Sequence, residues 1–144
     1  MKRIICTVYL LSLLLSACAV AETEPTIPEG NYDYGIYQLT FTEKKISNHS
    51  VGNDWSFTYT YDGQTIQSGY TITQSLDVFA FQSIGVEVRE NDNRDDLGTG
   101  TLAVAICDGG SGETQITVTE TNGRYTGNTA VWEISCEVKL VGKQ

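Results

Sequence analysis

The sequence predicts an all-β fold, an antiparallel β-sandwich of about eight strands. Apolar residues recur with a period of two from residue 34 onward, and no stretch shows the 3.6-residue period of an amphipathic helix. Glycine-rich turns separate the apolar segments, and the chain contains 14 glycines but only two prolines. The three observations together favour two packed sheets and a core of alternating inward side chains.

The first half of the chain contains the clearest alternation. Apolar and polar residues alternate over residues 37–41 and again over residues 55–61, which is typical of half-buried strands. Asp62-Gly63 follows the second segment and is a tight-turn signal. We therefore expect a return strand over residues 66–72.

The second half supplies the remaining strands. Segments at 77–81 and 83–90 follow, and their apolar parity slips by one near Gln82, as a β-bulge or a bend would require. Residues 101–107 are continuously small and apolar, which predicts a strand buried on both faces. The set is completed by segments at 115–121 and 130–141.

The N-terminus differs from the rest in composition. Lys2 and Arg3 precede a largely apolar run over residues 4–15, which is shorter than the roughly 20 residues needed to span a bilayer. We expect residues 1–17 to be a cleaved signal peptide. Residues 18–33 contain both prolines and three glutamates with little to bury, which predicts a flexible tether. Residues 34–144 then form a single domain.

The end of the signal segment resembles the lipobox of bacterial lipoproteins. The motif is Leu15-Ser16-Ala17-Cys18, with small residues before a cysteine. The resemblance implies cleavage before Cys18, a diacylglycerol on the Cys18 thiol and a palmitate-type chain on its amine, and such multiple chains anchor a protein stably. It places the protein on the cell membrane or outer membrane, facing the periplasm or the exterior. Ordinary cleavage after Ala19 or Ala21, or an uncleaved anchor, are the alternatives.

Charge restricts the partners. The formal net charge is −9, and the predicted signal carries two of the nine basic residues and none of the 18 acidic ones. So acidic a chain argues against nucleic acid as a ligand. It suits a basic protein, a metal ion or simple solubility.

Two of the four cysteines remain after lipidation and processing. Cys6 leaves with the signal and Cys18 carries the lipid, so Cys107 and Cys136 are left in an exported, oxidising compartment. We expect a disulfide between them.

An acidic segment at residues 90–98 is the candidate metal site. Its carboxylates and amides are the hard oxygen ligands that calcium prefers, although the spacing is not that of an EF-hand. A solvated polar turn is the simpler interpretation. The candidate calcium ligands are Glu90, Asp92, Asp95, Asp96 and, from another loop, Asp54.

The acidic loop in a β-sandwich resembles the C2-type sandwich, with an immunoglobulin-like sandwich as the alternative. The matching stretches are residues 52–55, 90–98 and 123–128. The resemblance implies calcium held at one edge by aspartates from two or three loops. This chain departs from the C2 pattern, because only one of its loops is rich in aspartate.

The function predicted from the sequence is a non-catalytic binding module at the cell envelope, calcium-assisted, that contacts an envelope protein or a glycan. His49 has no nucleophile in a recognised context beside it, so we do not expect an enzyme. One alternative is an inhibitor of a basic cell-wall enzyme, since Arg124-Tyr125 and Val131-Trp132 loosely resemble the lipoproteins that inhibit c-type lysozymes. The other is a carbohydrate-binding module with a stacking platform, against the simpler interpretation of these rings as core. The platform residues would be Trp55, Tyr59, Tyr61 and Tyr70.

Overall fold

The protein is an antiparallel β-sandwich. A computed structural model describes residue 27, residues 30–92 and residues 94–144. The predicted signal peptide, Cys18 and most of the predicted tether lie outside these described residues. The strands are β1 (Tyr34–Asn48), β2 (Trp55–Tyr61), β3 (Gln64–Ile66), β4 (Thr71–Ser75), β5 (Ala80–Glu90), β6 (Asp96–Ile106), β7 (Ser111–Thr119) and β8 (Thr129–Lys143).

Two four-stranded sheets form the layers. The first has the order β4-β1-β8-β7 and the second has the order β3-β2-β5-β6. Strand β1 pairs with β8 along nearly its whole length, from Gly35 opposite Lys143 to Asn48 opposite Ala130. These two central strands of 15 residues extend for about 50 Å at roughly 3.3 Å per residue.

The two ends of the sandwich are formed by different parts of the chain. The N-terminal end is where β1 starts at Tyr34, and there Asp33 and Tyr34 donate backbone hydrogen bonds to Gln144. The distal end is where β1 finishes at Asn48. At the distal end lie the β1–β2 loop (residues 49–54), the β5–β6 loop (91–95) and the β7–β8 loop (120–128).

The core lies between the sheets and consists of the inward residues of each alternating strand. The predicted faces of residues 37–41 and 130–138 are both buried, because their alternate side chains point at the opposite sheet. Phe41 stacks on Tyr59 across the sandwich, with ring centroids 4.0 Å apart. The fully buried branched side chains include Leu39, Ile84, Leu102, Ile106, Ile116 and Ile134.

One long side of the sandwich is closed by contact between β6 and β7, which belong to different sheets. A Cβ placed on Gly98 would lie 2.6 Å from the Thr117 carbonyl oxygen, and one on Gly112 would lie 2.2 Å from the Ala103 carbonyl oxygen. Side chains at these glycines would therefore force the strands apart. The glycines permit the backbones to approach where no ladder of hydrogen bonds joins them.

The strand predictions need two corrections in the middle of the chain. The return strand expected over residues 66–72 is two short strands, because the chain leaves the second sheet after Ile66 and joins the first at Thr71. The bulge expected near Gln82 is absent, since β5 pairs with β6 without a register shift from Ala80 to Glu90. The apolar pattern changed parity because Phe79 and Phe81 point outward and are exposed, whereas the apolar residues from Ile84 onward point inward.

The prediction that residues 101–107 are buried on both faces is also wrong for most of this segment. Strand β6 is an edge strand of the second sheet, and Ala103 points outward and is exposed. Only at the end of β6 are neighbouring residues, Val104 to Ile106, all buried. The alanines made the segment continuously apolar, and such a pattern is typical of a central strand, although Ala103 is small enough to lie exposed on an edge strand.

The predicted Cys107–Cys136 disulfide is not formed, and both cysteines are free thiols. Cys136 points into the core opposite Gly112 and Phe41. Cys107 lies in the turn after β6, and that turn bonds to the backbone of Val138, two residues further along β8. The turn that contains Cys107 therefore lies beside Val138 and not beside Cys136.

Candidate ligand-binding groove

An open groove of about 750 Å³ lies at the distal end of the sandwich. All three distal loops contribute to its walls. Its lining is polar, with carboxylates, amides, one guanidinium and one aromatic ring. The lining residues are Asn48, Ser50, Gly52, Asn53, Asp92, Glu120, Asn122, Gly123, Arg124 and Tyr125.

The first wall is held in place by Asn48 at the end of β1. The Asn48 side chain donates to the Gly52 carbonyl oxygen at 2.7 Å and accepts from the Val51 amide at 2.9 Å. Val51 is fully buried and anchors the loop in the core. An asparagine followed by small residues thus folds the β1–β2 loop back on its own strand.

The opposite wall is the β7–β8 loop, which contains one turn of 3-10 helix at Gly123–Tyr125. Backbone hydrogen bonds between Glu120 and Asn128 and between Gly127 and Glu120 close the base of this loop. The Tyr125 side chain is 46% exposed, and its hydroxyl accepts from the Arg124 guanidinium at 2.9 Å. The loop therefore presents an aromatic ring and a guanidinium on a closed backbone.

Asp96 lies under this wall and is almost completely buried, with 1% of its surface exposed. One carboxylate oxygen, Oδ1, accepts from the Thr121 amide at 2.9 Å and from the Thr121 hydroxyl at 2.6 Å. The other oxygen, Oδ2, is buried without a hydrogen-bond partner. The Oδ1 atom therefore stabilises the β7–β8 loop, whereas the Oδ2 atom accepts no hydrogen bond.

Glu90 is the partner of Asp96 across the β5–β6 hairpin and is 3% exposed. Its carboxylate lies directly against Gly52, where an added Cβ would be 2.0 Å from Oε1. The Asp54 amide donates to this carboxylate, while its Oε2 atom has no hydrogen-bond partner. Gly52, with φ of +94°, makes room for the carboxylate at the floor of the groove.

Four carboxylates therefore act on one another at the distal end. Burial raises the pKa of Glu90, and the charges of Asp92, Asp96 and Glu120 raise it further. Desolvation and the charge of Asp96 raise the pKa of Glu120, whose side chain is within hydrogen-bonding reach of the Asp96 carboxyl group. The groove is consequently a region of concentrated negative potential.

Two arginines lie at the groove, and one of them, Arg94, lines a smaller adjoining pocket together with Asp92 and Glu120. Arg94 donates from Nη1 to the Asn122 amide oxygen at 3.3 Å, and Arg124 lies over the Tyr125 ring at 5.0 Å. Within the described residues neither guanidinium forms an ion pair with Asp92 or Glu120.

The predicted calcium ligands are only partly brought together. Glu90, Asp92 and Asp96 lie at the groove, but Asp95 forms an ion pair with Arg89 at 2.9 Å. Asp54 contributes its amide to Glu90 and its carbonyl oxygen to the Asn91 amide. Among residues 27, 30–92 and 94–144, no three acidic, histidine or cysteine side chains converge as a metal site would require.

The aromatic platform proposed for sugar binding belongs to the core. Tyr59 is 5% exposed, and Trp55, Tyr61 and Tyr70 pack against the buried cluster. The simpler interpretation from the sequence is thus correct for these rings. The exposed ring at the groove is Tyr125, which sequence reasoning did not select as a sugar-stacking residue.

Four groove residues were not singled out from the sequence: Asn48, Ser50, Glu120 and Asn122. Glu120 follows β7 and is 30 residues from Glu90 in the sequence. Only the packing of the two sheets brings these residues to the same end of the molecule. The available signal was the glycine-rich stretch at 123–128 directly after an acidic strand end.

Comparison of the chain with protein-family models, with curated proteins and with solved structures finds no significant match. In the part of the chain that the structure describes, no helix is both long and apolar enough to cross a membrane.

Proposed function

We propose that this protein is a non-catalytic binding module of the cell envelope, held on a membrane by lipid on Cys18, and that it contacts its ligand through the distal groove. The placement of the start of β1 and of the groove at opposite ends of the sandwich is the observation that carries the proposal. Tyr34 begins β1 at one end of the sandwich, and Asn48 finishes it in the groove wall about 50 Å away. A lipid on Cys18 would therefore attach at the end of the sandwich opposite to the groove and leave the groove accessible to a ligand.

The composition of the groove supports binding rather than chemistry. Its polar groups are spread over three loops, which is how β-sandwich domains commonly present recognition surfaces. His49 is exposed, and its Nδ1 atom lies 3.3 Å from the Thr129 carbonyl oxygen, so this nitrogen contacts the backbone and not a nucleophilic side chain. The envelope protein or glycan that fills the groove is the ligand in this proposal.

Substitution of Cys18 tests the anchoring half of the proposal. In a bacterial host the wild-type chain should partition into the detergent phase of a Triton X-114 extract and have an intact mass raised by acyl chains. The Cys18→Ser variant should be found in the aqueous phase without added mass, because the serine hydroxyl does not accept the lipid.

Cys6→Ser is the matched control, since Cys6 lies within the predicted signal peptide and is removed with it. It should leave both partitioning and mass unchanged. A wild-type chain without acyl mass would show that the anchoring half is wrong.

A further inference from the structure

We infer that the distal groove recognises a positively charged side chain, lysine or arginine, of a basic protein partner. This inference rests on the proposed function, because it assigns the class of ligand that the groove takes. Two independent features of the site point to a cation, and two others favour an organic cation over a metal ion.

The first feature is the concentration of acidic groups. Asp92 and Glu120 line the groove wall, and Glu90 and Asp96 lie beneath them. The chain as a whole carries a formal charge of −9, so the field of the molecule attracts basic partners towards this surface.

The second feature is the unsatisfied state of the buried carboxylates. Glu90 Oε2 and Asp96 Oδ2 each lack a hydrogen-bond partner, although both residues are at least nine-tenths buried. A buried carboxylate without a partner is costly unless a proton or a cation compensates its charge. Neither residue lines the groove, but Glu90 lies against the lining residue Gly52, and Asp96 binds Thr121, which lies between the lining residues Glu120 and Asn122. A cation in the groove would therefore lie close to both carboxyl groups.

The size and the geometry of the site favour an organic cation. The groove of about 750 Å³ is far larger than a single ion and is open to a protruding side chain. The acidic side chains of the described residues do not converge at the spacing of metal ligands. A guanidinium or ammonium group can donate directly to Asp92 and Glu120 at the wall, while Glu90 and Asp96 act on it through their field.

The groove also offers groups for the remainder of such a partner. Tyr125 presents a half-exposed ring, and the exposed amide of Asn53 can form hydrogen bonds with the backbone of a partner. Arg124 can meet a carboxylate next to the bound cation. The surface thus fits a basic polypeptide segment better than an isolated amine.

Titration calorimetry of the purified full chain with a tri-arginine peptide amide tests the inference. The neutral tri-citrulline peptide has nearly the same shape and should bind at least about tenfold more weakly, because it lacks the charge. Peptide binding should weaken as salt rises. It should also release protons, because a bound cation lowers the pKa of Glu90 and Glu120, which burial and neighbouring carboxylates raise in the free protein.

Paired variants locate the site. The double variant Asp92→Asn with Glu120→Gln should lower the association constant of tri-arginine by about tenfold or more. The matched control, Asp62→Asn with Glu113→Gln, removes the same charge from exposed positions toward the N-terminal end and should stay within about twofold. A cooperative thermal unfolding transition in each double variant would verify that both are folded.

Three results would overturn the inference: equal binding of the citrulline peptide, equal loss in the control variant, or calcium binding in the groove without peptide binding. A peptidoglycan-derived tetrasaccharide separates this inference from the proposed function. If the sugar binds in the groove and tri-arginine does not, the inference is wrong and the proposed function stands. If neither binds, the ligand-binding half of the proposed function fails as well.

Discussion

Two buried carboxylates are the residues in which this protein departs most from an ordinary sandwich core. Glu90 and Asp96 occupy inward positions at the ends of paired strands, where alternation would otherwise place apolar side chains. Each makes hydrogen bonds with one oxygen and leaves the other unpartnered. The unpartnered oxygens cost stability in the free protein, and we attribute this cost to the binding role that we propose for the groove.

Glu90→Gln tests this cost through pH. The pKa of Glu90 is raised above its ordinary value of 4.5. The folded protein therefore holds this proton more tightly than the unfolded chain, and the stabilisation from protonation is complete below pH 4.5 and lost as pH rises through the raised pKa. The uncharged glutamine should give a higher melting temperature than wild type at pH 7, and the difference should shrink as pH falls toward 4.5.

Glu113→Gln is the control for that experiment, because Glu113 is exposed on β7. Its melting temperature should follow that of wild type at every pH. A difference between Glu90→Gln and wild type that does not change with pH would contradict the explanation.

The two free thiols should differ in reactivity. Burial in the core raises the pKa of Cys136 to about 11, whereas Cys107 is half-buried in a turn. Because the thiolate is the nucleophile, iodoacetamide at pH 8 should alkylate Cys107 of the folded protein at least about tenfold faster than Cys136. Peptide mapping measures both rates. In urea without reductant both should react, and failure to react until a reductant is added would mean that a disulfide joins them.

At the scale of elements, the contact between β6 and β7 is the part of the sandwich most sensitive to added atoms. The Gly98→Ala variant places a methyl group 2.6 Å from the Thr117 carbonyl oxygen, which only a shift of one strand can relieve. We expect it to lower the free energy of unfolding by about 1 to 3 kcal/mol in urea titrations.

Gly85→Ala is the matched control within the second sheet. A Cβ there meets its nearest atoms, in Thr60, at 3.6 Å, which is ordinary contact. This variant should stay within about 0.5 kcal/mol of wild type or be slightly more stable. Equal destabilisation by the two variants would show that the close approach of β6 and β7 is not the cause.

The strands with strict alternation could be predicted from the sequence, and the others could not. The inward faces of residues 55–61 and 130–141 can be predicted, because large apolar side chains alternate with Thr, Ser and Glu. The split between β3 and β4 has no local signal, since it depends on which sheet each short strand joins. The continuity of β5 was hidden by exposed Phe79 and Phe81, which local patterns place in a core.

At the scale of the whole molecule, the candidate site is an assembly of segments that are distant in sequence. The acidic residues of the β5–β6 hairpin were visible as a cluster in the sequence. The environment of each acidic residue could not be predicted from the cluster. Strand pairing buries Glu90 and Asp96, whereas Asp95 forms an ion pair with Arg89 away from the groove. The pairing of β7 with β8 then adds Glu120, which no pattern near residue 90 could supply.

The long pairing of β1 with β8 has a mechanical consequence for a domain anchored as we propose. A pull between a lipid beyond Tyr34 and a partner in the groove would run lengthwise through the sandwich, parallel to these strands. Such a load shears many hydrogen bonds at once rather than unzipping them singly. The domain is thus built to resist tension along the line that joins its anchor to its ligand.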